Sequence, residues 1–221
     1  MLPPIRALVR YRIDLAERST QVKNKVHNIL DKYLQRCDGE PFSNQWMEWL
    51  VALRLSNIDR QLVDSYVREI TMLGELIQGV EKQLASHAIN DRRVDLLLGF
   101  TGIDYYGALL LLYEIGDIKR FRSPKKLVSW AGLAPSLHQS GDVRYTGRIT
   151  KQGNKRVRWF LTEAAKNAAR YDPKLRPFYE RIGSRKGNNK AIIAVARKML
   201  VSIYWVLTRN EYYYGGQGKK G

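Results

Sequence analysis

Between Val63 and Leu84 the apolar residues Val63, Tyr66, Ile70, Leu73, Ile77, Val80 and Leu84 advance by three and four in strict alternation. This heptad seam is a helix whose narrow apolar stripe cannot be left in water, so it requires a partner helix. Upstream, Ile5, Leu8, Val9, Leu15, Val22, Val26, Ile29, Leu30 and Tyr33 fall mostly at helical spacings and predict a long amphipathic helix ending near Asp38-Gly39-Glu40-Pro41. That helix can pack on the seam by folding back as a hairpin, and a second subunit can serve equally; the spacing does not choose. A shorter helix is expected after Ser43, carrying Trp46, Trp49, Leu50 and Leu53.

The texture changes after residue 90. Two apolar helical stretches flank Thr101-Gly102-Ile103-Asp104, the outline of a helix-hairpin-helix in which Gly102 takes a positive φ. Such a turn offers backbone N–H groups to a phosphate, and equally it is an ordinary turn between two core helices. Ser123-Pro124 opens a short helix to about Ala131, Ser at the N-cap and Pro at the first helical position. From Pro135 to Lys151 helical periodicity is lost, and Val143, Tyr145 and Ile149 alternate between glycines as in a small β-hairpin. Helix resumes near Asn154, again over about 174–181, and finally over about 189–208. The expected fold is mainly α: a helical hairpin or coiled coil over 1–89, a helical domain over 90–209 with its helix-hairpin-helix and one minor hairpin, and a flexible tail over 210–221.

Charge is placed unevenly along this chain. Residues 1–118 carry 14 Lys and Arg against 16 Asp and Glu, whereas residues 119–198 carry 21 against 4, so the net +17 of the chain belongs to one stretch. A field so concentrated attracts polyanions, and nucleic acid is the expected partner. Cys37 is the only cysteine and the histidines are His27, His87 and His138, which excludes an internal disulfide and a structural zinc site. No signal peptide is expected, nor an apolar run of membrane-spanning length, so the chain is read as a soluble protein of reducing cytosol.

Within the basic stretch, Ser140 is the candidate nucleophile. A serine hydroxyl is weak at its free pKa and needs a group to take its proton and donors to stabilise charge on the attacked centre. Arg144, Arg148, Lys151, Lys155, Arg156 and Arg158 are suited to phosphate oxygens, and no Ser-His-Asp spacing or nucleophile elbow is present, so a phosphodiester fits better than an acyl group. Read from its residues alone, a Ser-Gly step is more often a turn, and the cations are alternatively a solvated face. His138 is a candidate base and Tyr145 a competing nucleophile, with phosphate contact and packing as their commoner uses. The acids of residues 119–198 are Asp142, Glu163, Asp172 and Glu180, which predict no metal site.

The ordered run Gly102-Ile103, Glu114-Ile115-Gly116-Asp117, Arg120-Phe121, Ser123-Pro124-Lys125, Gly132-Leu133-Ala134-Pro135, Ser140-Gly141, Gly147, Ile149, Lys151, Gly153-Asn154, Arg156, Arg158 and Asp172-Pro173 resembles the C-terminal domain of the IS116/IS110/IS902-type insertion-sequence transposases. That group is similar to the Piv-type DNA invertases and includes RNA-guided recombinases. The resemblance covers about residues 90–208, and more weakly the upstream helices, which look like the family's coiled-coil linker. It implies that Ser140 attacks DNA to form a phosphoserine link, with the basic residues and Gly102 on the DNA. It further implies a Mg²⁺-binding RuvC-like domain with a DEDD set of acids, which the resemblance puts N-terminal to this region. Met1-Leu2-Pro3-Pro4 begins where that domain should already have ended, so an N-terminally truncated form needing a separate RuvC-like half is expected, with no cofactor held in this chain itself. The implied partners are DNA at element ends and targets, a guide RNA for some members, and a second copy of the chain, in the cytosol or nucleoid of a prokaryote and away from membranes. A non-catalytic nucleic-acid-binding protein, such as a dimeric competitor of the intact transposase, is the alternative.

Overall fold

The structure, a computed structural model, describes residues 4–89, 91–140 and 143–213, and gives the backbone path alone for 136–140 and 143–148. Gly141 and Asp142 of the predicted serine turn lie outside the described residues, as do Met1, Leu2, Pro3, Asn90 and residues 214–221 of the predicted tail. Helices dominate. The chain divides into two compact units, Ala7–Gln83 and Leu84–Gly221 with Met1–Arg6.

The first unit is built from α1 (Pro4–Leu30), α2 (Asn44–Ala52) and α3 (Asn57–Ala88). Arg12 bridges to Glu81 at 2.7 Å, the Lys25 ammonium lies 5.3 Å over the Tyr66 ring, and Lys32 meets Asp59 at 3.2 Å, so α1 runs antiparallel to α3 as an intrachain hairpin. Val26, Ile29 and Leu30 of α1 pack with Val63 of α3 and with Trp46 and Leu50 of α2. α2 begins at Ser43, whose hydroxyl accepts the Trp46 N–H, satisfying one of the orphan donors of a first turn.

The first helix is shorter than its periodicity predicts. It ends at Leu30, a 3₁₀ turn covers Asp31–Tyr33, and Leu34 turns left-handed at φ 52°. The cause is tertiary: the Tyr33 hydroxyl donates to Asp59 at 2.7 Å and accepts the Ser56 N–H at 2.9 Å, tying this end to the start of α3. That hydrogen bond, with Lys32 beside it, holds the Asp59 carboxyl below its usual range. Trp46, 3% exposed and ringed by His27, Phe42 and Trp49, is the anchor of this end. Trp46→Ala is expected to cost about 3–5 kcal/mol, through lost transfer energy and the cavity left behind, read from a urea titration of the chain.

The second unit contains α4 (Arg92–Leu98), α5 (Tyr105–Ile115), α6 (Pro124–Trp130), β1 (Pro135–Ser140), β2 (Val143–Ile149), α7 (Lys155–Tyr171), α8 (Leu175–Lys186) and α9 (Asn188–Arg209). β1 and β2 pair antiparallel, with Pro135 opposite Ile149, Ser140 opposite Val143, and an irregularity between Pro135 and Leu137. Every residue of α5 from Gly107 to Leu112 is buried, as a helix apolar on all sides must be. α5 meets α7 where Gly107 faces the Phe160 ring; a Cβ there would lie 2.0 Å from Cζ. Asp172 caps α8, its Oδ1 accepting the N–H groups of Lys174 and Leu175 at 2.9 Å each.

The expectation that no apolar run reaches membrane-spanning length does not hold for the last helix. α9 is long and apolar enough to cross a membrane by length and composition, because its interior cations are few. In this unit α4, α6, α7 and α8 all pack on it, burying Ala191, Val195, Ala196, Met199, Leu200 and Ile203, and the buried Tyr204 hydroxyl donates to the Phe121 carbonyl at 3.1 Å.

Beyond α9, Tyr213 stacks on Phe100 at 4.1 Å between centroids. Burial, and then the charge of Asp172, push its phenol up to about 12. A raised folded pKa stabilises the fold fully below the unfolded value near 10 and is lost as pH climbs through 12. Absorbance at 295 nm should therefore show a late-titrating tyrosine that Tyr213→Phe removes, with alkaline unfolding moved to higher pH. Unchanged titration in the variant would contradict the assignment.

Candidate nucleic-acid interface

The cations of the basic stretch are organised around the base of the β-hairpin. There two turns cross: residues 130–134 after α6, and residues 150–154 before α7. The Thr150 N–H donates to the Ala134 carbonyl at 3.0 Å and the Asn154 N–H to the Trp130 carbonyl at 2.9 Å. Both turns need glycine to approach so closely. Gly132 has φ 70° and a Cβ on it would lie 2.6 Å from the Gln152 carbonyl oxygen; Gly153 has φ 125° and a Cβ would lie 2.1 Å from that of Trp130. Lys151, next to this turn's Gln152 and Gly153, is itself left-handed at φ 55°, and its side chain is exposed.

Asn154 joins this crossing to the core. Its Oδ1 accepts the N–H groups of Arg156 and Val157 at 3.1 Å each, capping α7, while its Nδ2 donates to Glu114 Oε2 at 2.7 Å. Glu114 is 2% exposed in the otherwise apolar α5. A carboxylate in such surroundings is retained only where it is hydrogen-bonded, and here it fixes the rotamer of the cap. The start of α7, with Lys155, Arg156 and Arg158, is thus held by a bond spanning 40 residues. In the sequence both residues stand in the motif run of the family resemblance, but their pairing is not visible there; the one local signal is a lone acid in the apolar stretch Leu109–Ile115.

The predicted site residues are distributed as follows. Lys155 is exposed, and Arg156 and Arg158 are half-buried. Arg158 Nη1 donates to the Ala131 carbonyl at 3.1 Å, so this guanidinium braces the turn that Gly132 completes. Gly102 is exposed with φ 88°, and its missing side chain has a packing cause: a Cβ would lie 2.6 Å from the Ala164 carbonyl of α7. The turn between α4 and α5 therefore lies directly on α7, and Asp104 caps α5 by accepting the Gly107 N–H at 2.7 Å. Ser140 is last in β1, with Gln139 paired to Arg144 beside it, while the side chains of His138, Ser140, Arg144, Tyr145 and Arg148 lie outside the description.

At about 3.3 Å per strand residue, Ser140 stands roughly 16 Å from the hairpin base. The candidates therefore form two groups: Ser140 and Arg144 at the far end of the strands, and Lys151, Lys155, Arg156 and Arg158 at the base, with Arg148 nearer the latter. One phosphate cannot touch both groups.

The acids here do not form a metal-binding set. Glu114 holds Asn154, Asp172 caps α8, Glu163 pairs with Lys166 at 2.8 Å and Glu180 with Arg176 at 2.9 Å. Among the described residues no three His, Cys, Asp or Glu side chains converge. The described acids of this unit therefore do not fit a bound Mg²⁺.

Residues 94–180 match the family model described as the Transposase IS116/IS110/IS902 family. The chain is 25% identical, over 96% of its own length and 60% of the relative's, to a transposase for insertion sequence element IS1111A from Coxiella burnetii. It is 24% identical, over 96% of its length and 65% of the relative's, to a probable family 20 transposase from Pseudomonas aeruginosa. A pilin gene-inverting protein from Moraxella bovis is 37% identical over 55% of this chain and 38% of its own length. The chain thus spans less than two thirds of the length of these curated relatives.

Proposed function

We propose that this chain acts on DNA as part of an insertion-sequence transposase or related recombinase, with Ser140 as its nucleophile. The observation that carries the reading is the family match over residues 94–180, which encloses the hairpin, the crossed turns and α7. In the reaction, Ser140 Oγ attacks a backbone phosphorus. A serine–phosphate ester forms, one P–O bond to deoxyribose breaks, and the proton from serine ends on the released hydroxyl. A second deoxyribose hydroxyl reverses the step on another strand, so the ester's energy is conserved and no nucleotide cofactor is consumed.

Arg144 serves the phosphate near Ser140, whereas Arg148, Lys151, Lys155, Arg156 and Arg158 hold phosphates farther along the same DNA. A spacing of roughly 16 Å corresponds to about five phosphates of one strand along a duplex axis. Gly102 and the turn around it lie against the DNA beside α7. Acids of a RuvC-like domain contributed from outside the described residues would hold the Mg²⁺ of this scheme, which would supply activation of the serine, and a guide RNA and a second copy of the chain are the further partners.

One observation favours a second reading, a DNA-binding role without chemistry: Glu114, Glu163, Asp172 and Glu180 are each engaged in a helix cap, a buried hydrogen bond or an ion pair. The two readings separate on covalent capture. Labelled element-end DNA is incubated with the chain, alone and with a RuvC-like half plus Mg²⁺, then denatured in SDS. A denaturant-stable complex in either mixture supports the catalytic reading; salt-sensitive binding with no such complex in both leaves the binding role.

A further inference from the structure

Past the crossed turns, α8 and α9 form an antiparallel pair that carries its own concentration of charge. Residues 174–198 hold eight Lys and Arg and one acid, Glu180, which is engaged by Arg176 at 2.9 Å. The helices approach closely because Gly183 stands opposite Ala191; a Cβ on Gly183 would lie 3.8 Å from that of Ala191. Half-buried Phe178 lies between them, with the Lys198 ammonium 4.4 Å and the Arg181 guanidinium 5.6 Å from its ring centre. The ring thus gathers one cation from each helix.

Helical spacing extends that surface. Phe178, Arg181 and Arg185 share one face of α8 at steps of three and four, and Lys190 and Lys198 share one face of α9, two steps of four apart. Arg181, Arg185, Lys190 and Lys198 are all exposed. By helical spacing Glu180 and Arg176 sit on the opposite side of α8 from this row, so their ion pair leaves it uncompensated. Like charges held together at such density repel, and a dense polyanion offsets that repulsion.

The chemistry of the surface narrows the partner. Between Tyr171 and Trp205 no large apolar side chain is exposed, so nothing here would enter a lipid interface beside the cations. Most of these residues lie beyond the segment matched to the transposase family, which ends at residue 180. We infer that the α8–α9 face is a second duplex-DNA surface, contacting phosphates through Arg181, Arg185, Lys190 and Lys198, separate from the surface at the hairpin base. This rests on the reading that the chain acts on DNA. Strand transfer joins two DNA segments, and a protein that brings them together needs a backbone contact for each.

The test uses the full chain and fluorescence anisotropy over a salt series, with a 30-base-pair duplex and a stem-loop RNA as probes. Three proteins are compared with the unmodified chain: Arg181→Gln with Arg185→Gln and Lys198→Gln; Lys151→Gln with Lys155→Gln; and a charge-retaining Arg181→Lys, Arg185→Lys, Lys198→Arg control. Each lost phosphate contact lowers the slope of log K against log salt by about 0.9 for duplex DNA. The α8–α9 triple variant should lower the slope by about 2.7 with the duplex, independently of the hairpin-base variant, while the control keeps it. A duplex slope unchanged in the triple variant, or a loss confined to RNA, overturns the inference while the DNA-acting reading stands. An unmodified chain that binds no duplex overturns both.

Discussion

Gly153→Ala is expected to destabilise the second unit by about 3–5 kcal/mol, from backbone strain, a lost hydrogen bond and the displacement that follows. The added Cβ would lie 2.1 Å from the Trp130 carbonyl oxygen, a backbone atom that no rotamer change can move, and φ of 125° is strained for any residue with a Cβ. Relief requires the 150–154 turn to leave the 130–134 turn. The Asn154 N–H then loses the Trp130 carbonyl, and the Asn154 amide is drawn from Glu114. The expected drop in melting temperature is on the order of 10 °C for a unit of this size. Gly99→Ala is the control: Gly99 sits at φ −67°, where alanine is comfortable, and a Cβ would make only a 3.4 Å contact to Leu96 of its own helix. It should change stability by no more than about 0.5 kcal/mol. Equal effects of the two substitutions would mean that the crossing of the turns does not hold the unit together.

Ser140→Ala is expected to abolish covalent capture of DNA altogether while leaving salt-dependent binding near its original strength. The asymmetry follows from the position of the residue. Ser140 ends β1, and the crossed turns that carry Lys151 and Lys155 are roughly 16 Å away, so removing one hydroxyl at the far end of the strands leaves the basal contacts intact. Removing a nucleophile removes the bond it forms, whereas removing one neutral hydroxyl changes binding by at most about 1.5 kcal/mol. Ser140→Cys tests the same point, since a thiol is the better nucleophile and its phosphorothiolate link differs in mass. Loss of binding together with capture in Ser140→Ala would instead make the residue a support of the fold.

Much of the fold was legible because it is written in short-range signals. The seam from Val63 to Leu84, the Ser43 cap, Pro124 at the start of α6 and Asn154 at the start of α7 each act within about one helical turn, and each stands where its spacing placed it. What failed depended on contacts far along the chain. The first helix ends at Leu30 because Tyr33 reaches Asp59, a pairing that amphipathic periodicity does not encode. α9 has the composition of a membrane span because four helices bury it. The role of Glu114 depends on Asn154, and that of Arg158 in part on the Ala131 carbonyl, so neither follows from charge counting. The chemistry proposed for Ser140 depends likewise on the groups gathered around its hydroxyl and not on the Ser-Gly step.

The central claim is that Ser140 takes the phosphate, and site-resolved mass spectrometry of the SDS-stable complex tests it directly. After nuclease trimming, trypsin cleaves at Lys126 and Arg144, releasing residues 127–144 with Ser129, Ser136 and Ser140 on one peptide and Tyr145 on the next. Fragmentation of that peptide should find a nucleotide phosphate on Ser140. A nucleotide on Tyr145, on Ser129 or on Ser136, or no linked peptide even with the RuvC-like half and Mg²⁺ present, would contradict the claim.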